Sequence, residues 1–119
     1  MTEQILTVSA TTEGPVTVLS AAGEIDHDSR QSLEDAAEAA LQDGSRSLVL
    51  DLGAVAFCDS GGLSLFVDLH KRTTTRGGRL HLASVQPAVT AVLLATNLDR
   101  LLPVHATVGE AVAAARPTG

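Results

Sequence analysis

The stretch Phe57-Cys58-Asp59-Ser60-Gly61-Gly62-Leu63 holds the residues of this chain that are best suited to chemistry. An apolar strand is predicted to end there and an amphipathic helix to begin, which puts the Ser60 hydroxyl at a helix N-terminus. Free backbone N–H groups and the helix dipole favour an anion at such a position. Three roles are therefore open for Ser60: a nucleophile, a phosphate acceptor, or a helix cap that stabilises by about 1 kcal/mol.

The residues around Ser60 favour an accessible hydroxyl. Gly61 and Gly62 weaken a helix, so their presence indicates a need for access or for close approach of another segment. A phosphate on Ser60 would add roughly −1.5 to −2 charges. It would suit the helix dipole but repel a docked partner, because Asp59 is adjacent and Asp26 follows a strand that ends at the same sheet edge. Asp59 could also cap the helix or accept loop N–H bonds, and each acid alone is more typical of an ordinary loop than of a functional site.

Hydrolysis is less well supported by the sequence. A serine nucleophile needs a base within reach, and only His27 is predicted at the right edge. His70 lies about 15 Å further along the helix, at ~1.5 Å per residue, and no Gly-x-Ser-x-Gly elbow is present. The Asp59-Ser60-Gly61 tripeptide also occurs in aspartic proteases, but there it lies in a β-rich barrel, whereas a helix follows it here. We therefore predict no catalytic residue.

Cofactor sites are also weakly supported. Asp26, His27 and Asp28 could form a metal site, although a polar loop before a helix explains them more simply. Cys58 would be redox active only if the helix N-terminus stabilised its thiolate, and its apolar neighbours favour a buried small side chain. Two glycines without a Walker-type loop do not indicate a nucleotide. We predict no cofactor and no metal.

Composition narrows the partners. The 119 residues are 45% hydrophobic and 18% charged, which predicts one compact domain over residues 1–119 with a core at about 4–115. Two Phe, no Trp or Tyr, and a net charge of −6 argue against nucleic acid. A single cysteine excludes an internal disulfide, and no signal peptide or membrane-length apolar run is recognised. The expected location is the cytoplasm, without a membrane partner.

Hydrophobic periodicity predicts the order β-β-α-β-α-β-α-β-α. The predicted strands are Ile5–Ala10, Val16 to about Asp26, Ser47–Leu52, Arg79–Ala83 and Leu101–Val104. The predicted helices follow Asp28 or Ser29, Ser60, Pro87 and a Thr107/Glu110 capping box. This pattern indicates an α/β fold: a mostly parallel mixed sheet of about five strands, an N-terminal edge hairpin and about four helices.

The chain resembles the STAS-domain anti-sigma factor antagonists over nearly its whole length, roughly residues 4–115. The spacing of several motifs carries the resemblance: Gly23-Glu24-Ile25-Asp26, Val49-Leu50-Asp51-Leu52, Phe57 to Leu63, Gly77-Gly78, and Ser84 to Val89. The resemblance implies a small STAS-like domain that is not an enzyme and takes part in a partner switch. In that switch, the unphosphorylated antagonist binds a kinase-type anti-sigma factor and frees a sigma factor.

The resemblance also implies roles for individual residues. The kinase would use ATP to phosphorylate Ser60 and so dissolve the complex, and a phosphatase would reset it. Asp26 and Asp59 correspond to positions near the kinase interface, and Gly61 and Gly62 belong to the same predicted partner-binding set. Gly61 stands where many members have Ser. Ser64, one helical turn from Ser60, is a candidate for a secondary site and is included in the predicted partner-binding set. The alternative is a STAS-like module that binds a small ligand or scaffolds a complex without a phosphorylation switch.

Overall fold

The computed structural model describes residues 6–116, so Ile5 of the predicted first strand and the predicted domain ends at 1–5 and 117–119 lie outside it. The strands are β1 (Thr7–Glu13), β2 (Val16–Ile25), β3 (Ser47–Cys58), β4 (Leu80–Ala83) and β5 (Val104–His105). The helices are α1 (Arg30–Gln42), α2 (Ser60–Thr75), α3 (Pro87–Ala95), a 3-10 turn at Leu98–Arg100, and α4 (Val108–Ala115).

The strands form one mixed sheet in the order β1-β2-β3-β4-β5. β1 pairs antiparallel with β2 in an edge hairpin, and the remaining neighbours pair in parallel. The predicted fold class and element order are thereby confirmed. A parallel sheet gathers the loops that follow its strands at one edge, and that edge carries Asp26 and Ser60.

The sheet separates two apolar layers. From β2 to β5, each strand is added on the same side of the strand before it. Right-handed crossovers then place all the connecting helices on one face of the sheet. Leu48, Leu50 and Leu52 of β3 point to that face and pack in the cluster formed with α1, α2 and α3. Val49 points to the other face, where α4 covers it. Each fully buried leucine contributes roughly 1.5–3 kcal/mol of transfer free energy, so β3 anchors the position of α2.

The third strand is longer than predicted and runs to Cys58 instead of ending at Leu52. The β2–β3 register shifts twice, between Ser20 and Ala22 and between Gly23 and Glu24. Each shift puts an extra residue in β3, as a β-bulge does. The buried positions then follow at intervals of three, at Leu52, Val55 and Cys58. This spacing departs from the alternation by which a strand is recognised, and it brings Cys58 level with Ile25 at the end of β2.

The fifth strand is also displaced, since it begins after Pro103 instead of including it. It lies at the sheet edge next to β4, as the proline predicts.

Thr107 caps α4 by accepting a hydrogen bond from the Glu110 N–H at 3.1 Å, as predicted. Among residues 6–116, no helix has the length and apolar character that are needed to cross a bilayer.

Candidate functional site

The predicted site lies at the carboxyl edge of β2 and β3. Ile25 and Cys58 are opposite each other in the parallel register, so Asp26 and Asp59 begin their loops side by side. The Asp59 N–H donates to the Ile25 carbonyl at 3.1 Å and joins the two strand ends. The sequence placed both acids at this edge, and the structure brings them together.

Asp59 caps α2, and the alternative prediction that Ser60 is the cap is wrong. Asp59 is extended (φ −96°, ψ −172°), and its Oδ1 accepts hydrogen bonds from Gly61 N–H at 2.8 Å and Gly62 N–H at 3.1 Å. Its Oδ2 accepts from His27 N–H at 3.3 Å. One carboxylate therefore holds both the start of α2 and the loop after β2. Ser60 is the first residue of the helix and is exposed.

The two glycines serve close approach more than access to the hydroxyl. A Cβ on Gly61 would lie 2.7 Å from His27 Cα, and a Cβ on Gly62 would lie 2.5 Å from Cys58 Sγ and 2.8 Å from the Ile25 carbonyl oxygen. Real Cβ atoms do not occupy such distances. The first turn of α2 therefore packs directly on the backbone that follows β2.

Asp26 shapes the loop after β2. Its Oδ1 accepts the Ser29 N–H at 2.7 Å and the Asp28 N–H at 3.0 Å. Hydrogen bonding to Ser29 is the main cause that lowers the pKa of Asp26, and the bond to Asp28 adds to it. The carboxylate therefore stays charged. Ser29 precedes α1 as predicted, but its hydroxyl does not cap that helix. The hydroxyl instead accepts from Asp26 N–H at 3.0 Å and donates to the Glu24 carbonyl at 2.7 Å.

Arg30 makes a contact in this site that was not predicted from the sequence. Its Nη1 donates to the Gly61 carbonyl at 3.1 Å and ties the first turn of α1 to the first turn of α2. The two residues are 31 positions apart, so no local pattern indicates the bond. Ser64, the candidate for a secondary site, is exposed on α2 one turn beyond Ser60.

The four histidines lie in different parts of the fold, with His70 on α2. His27 is exposed, and it meets the site through its backbone, which contacts Asp59. His81 and His105 lie on β4 and β5, where Nδ1 of the first is 2.8 Å from Nε2 of the second and the rings are nearly parallel. Burial, the nearby His105 and Arg79 lower the pKa of His81 to about 4. This pair lies on β4 and β5, whereas Ser60 follows β3.

Cys58 is the buried small side chain that the sequence favoured. It is 3% exposed, and burial together with the adjacent Asp59 raises the pKa of its thiol to about 12. A thiol with that pKa is protonated at neutral pH, which removes the nucleophilic form. Among residues 6–116, no three His, Cys, Asp or Glu side chains are arranged to hold a metal ion.

Comparison with known proteins identifies the family of the chain. The family model for the STAS domain matches residues 7–111. A putative anti-anti-sigma factor of Mycobacterium tuberculosis is 33% identical over 112 residues, covering 89% of this chain and 74% of that protein. A putative anti-sigma factor antagonist of Thermotoga maritima is 35% identical over 72 residues, covering 60% of this chain and only 64% of the relative's length.

A solved structure is similar over nearly the whole chain. The crystal structure of an anti-sigma factor antagonist from Mycobacterium paratuberculosis superposes with a TM-score of 0.83 at 30% identity. The alignment covers 93% of this chain and 94% of that one.

Proposed function

The chain belongs to the STAS domain family of anti-sigma factor antagonists, and from that premise we propose that it is switched by reversible phosphorylation of Ser60. The observation that supports the proposal is that the cap and the exposed hydroxyl at the start of α2 belong to different residues. Asp59 supplies the cap, while the neighbouring Ser60 hydroxyl is exposed and left out of it. A kinase can therefore modify Ser60 without dismantling the helix start.

In the proposed cycle, the unphosphorylated protein binds a kinase-type anti-sigma factor in the cytoplasm, and a sigma factor is released. The kinase then transfers the γ-phosphoryl group of ATP to Ser60 Oγ; ADP leaves, and the hydroxyl proton passes to a base of the kinase. A phosphatase later hydrolyses the phosphoserine. In this cycle the chain supplies the acceptor hydroxyl, and the partner supplies the catalytic groups.

Electrostatics explains how one phosphate would end the complex. The added dianion would lie beside Asp59 and near Asp26, whose pKa is lowered so that it stays charged. Three acidic groups desolvated together at a tight interface repel one another and lose hydration. In the free protein the same phosphate faces water and the positive end of α2, which favours it by about 0.3–1 kcal/mol. The switch would therefore act on binding and spare the fold.

The direct test uses purified kinase-type anti-sigma factors encoded in the source genome, beginning with any encoded beside this chain. Each is incubated with the protein and ATP, and the intact mass is measured. We expect a gain of one phosphate on the wild type and on Ser64→Ala, and none on Ser60→Ala. An equal gain on Ser60→Ala, or no gain with any of these kinases, would contradict the proposal.

A charge-mimic variant tests the electrostatic part separately. Ser60→Asp should bind the kinase at least about tenfold more weakly than wild type, because its carboxylate adds to the charge of Asp59. Ser60→Asn, of similar size without charge, is the matched control and should bind more tightly than the aspartate variant. Equal affinity of the two variants would show that size, not charge, is what matters.

A further inference from the structure

We propose that Phe57 is the apolar anchor of the partner-binding surface and that it fits an apolar pocket rimmed by basic side chains on the anti-sigma factor. This inference rests on the proposed function and identifies the part of the surface that holds the partner. Phe57 is 49% exposed, whereas Phe66, the other phenylalanine of the chain, is fully buried. Aromatic side chains are enriched at protein interfaces, so an exposed ring three residues before the switch serine is suited to contact with a partner.

The backbone turns Phe57 outward. Strict alternation would put Phe57 on the same face as Val55, which is fully buried. The β2–β3 register shifts between Gly23 and Glu24, so that Glu24 pairs with Phe57 and the extra residue is Ala56. A bulge re-aims the side chains that follow it. Here it keeps Cys58 in the core and leaves Ala56 and Phe57 exposed.

The same part of β3 extends beyond its neighbour on one side. β4 pairs with β3 only from Leu48 to Asp51, whereas β2 continues alongside to Cys58. Phe57 therefore lies on a two-stranded projection at the carboxyl edge, three residues before Ser60. We therefore expect a partner that reaches the Ser60 hydroxyl at this edge to contact the phenylalanine ring as well.

The charge around the ring defines the chemistry of the partner. Glu24 pairs with Phe57 across the strands, and Asp26, Asp28 and Asp59 follow at the same edge. The chain as a whole carries a net charge of −6. An aromatic side chain at the same edge as these acids complements an apolar pocket that has Lys and Arg beside it. Aromatic anchors of this kind account for a large part of the affinity at many protein interfaces.

The chain offers a matched control at the other end of the sheet. Leu101 is also a large exposed apolar residue, at 38%. It lines a cleft with Gly78 and Arg79, which precede β4, and so lies at the amino edge, opposite Ser60. Truncation of Leu101 removes a comparable exposed apolar side chain without touching the proposed surface.

The test measures, without ATP, the dissociation constant of the complex between this protein and each of the purified kinase-type anti-sigma factors described above. Phe57→Ala should weaken binding at least about 30-fold, which corresponds to about 2 kcal/mol. Leu101→Ala should stay within about twofold of wild type, and Phe57→Leu should lose less than Phe57→Ala. Thermal unfolding checks each fold, and Phe57→Leu decides the question if the alanine variant is destabilised.

Two further readouts separate this inference from the phosphorylation proposal. Phe57→Ala should lose the same factor in a Ser60→Ala background, which cannot be phosphorylated at that position. With ATP, it should raise KM for phosphoryl transfer while kcat at saturation stays near wild type. Phosphorylation and binding that do not depend on Phe57 overturn the anchor and leave the switch intact. Phe57-dependent binding without phosphorylation of Ser60 supports the anchor and overturns the switch, and no wild-type binding to any of these kinases overturns both.

Discussion

Two polar clusters in this domain are built in opposite ways. The serine loop (Asp26, His27, Asp59, Ser60 and Gly61) lies at the surface, and its carboxylates are occupied by backbone N–H groups. The histidine pair (His81 and His105) lies between β4 and β5, and each ring bonds the other at 2.8 Å. Buried polar groups must satisfy one another, whereas an exposed hydroxyl outside the structural network is available to a partner.

The largest effect should come from filling the close contact behind the serine loop. Gly62→Ala places a Cβ 2.5 Å from Cys58 Sγ and 2.9 Å from Ile25 Cγ2, so α2 must shift from β2 and β3. We expect a loss of about 2–3 kcal/mol in the free energy of unfolding, despite the better helix propensity of alanine. Urea denaturation measures this loss.

The control for that substitution is Gly109→Ala in α4. A Cβ there meets only Thr107 Oγ1, at 4.0 Å. We expect the stability of this variant to stay the same or to rise by up to about 1 kcal/mol. Equal losses in the two glycine variants would mean that helix geometry, and not the contact with Cys58, limits residue 62.

Removing the cap should have the next largest effect on the serine loop. Asp59→Ala frees the N–H groups of Gly61, Gly62 and His27, at an expected cost of about 1–2 kcal/mol. Asp59→Asn keeps an acceptor oxygen and should lose less than half of that amount. Denaturant midpoints of the two variants compare the hydrogen bond with the charge, and similar losses would assign the effect to charge alone.

The histidine pair and the serine loop should lose their contributions to stability at different pH values. The pKa of His81 is lowered to about 4 in the folded state from 6.5, so the fold favours the neutral ring. Stability from this group is therefore present above about pH 6.5 and falls as pH drops towards 4, by on the order of 1 kcal/mol. The pKa of Asp26 is lowered from 3.8, so its contribution is lost only at still lower pH.

Unfolding measured between pH 7 and pH 4.5 tests this separation. His81→Asn should flatten the dependence on pH in that range, whereas His27→Gln, a change at an exposed histidine, should leave it as in wild type. An unchanged slope in His81→Asn would assign the acid sensitivity to another group.

The smallest effect should come from the serine itself. Ser60 is exposed and does not supply the cap, so Ser60→Ala should change the free energy of unfolding by less than about 0.5 kcal/mol. Thermal denaturation of Ser60→Ala and Asp59→Ala, measured side by side, compares the contribution of the hydroxyl with that of the cap. A loss as large as that of Asp59→Ala would mean that the hydroxyl has a structural role.

Local patterns were sufficient to predict the order of the elements. The helical spacing after Ser60 and the Thr107/Glu110 pair are both short-range signals, and each helix formed where its signal lies. The end of β3 was predicted too early, because two register shifts against β2 replace alternation with a spacing of three. Pairing with a neighbouring strand, and not the composition of the segment, sets that spacing.

The sequence by itself determined that a serine, an acid and two glycines stand at the junction of a strand and a helix, because that arrangement needs only local order. It left open which residue is the cap and why the glycines are there. The tertiary structure decided both, since His27 and Ile25 reach this junction only when β2 pairs with β3. The contact from Arg30 to Gly61 and the outward turn of Phe57 likewise depend on segments about 30 residues apart, whose meeting no local pattern encodes.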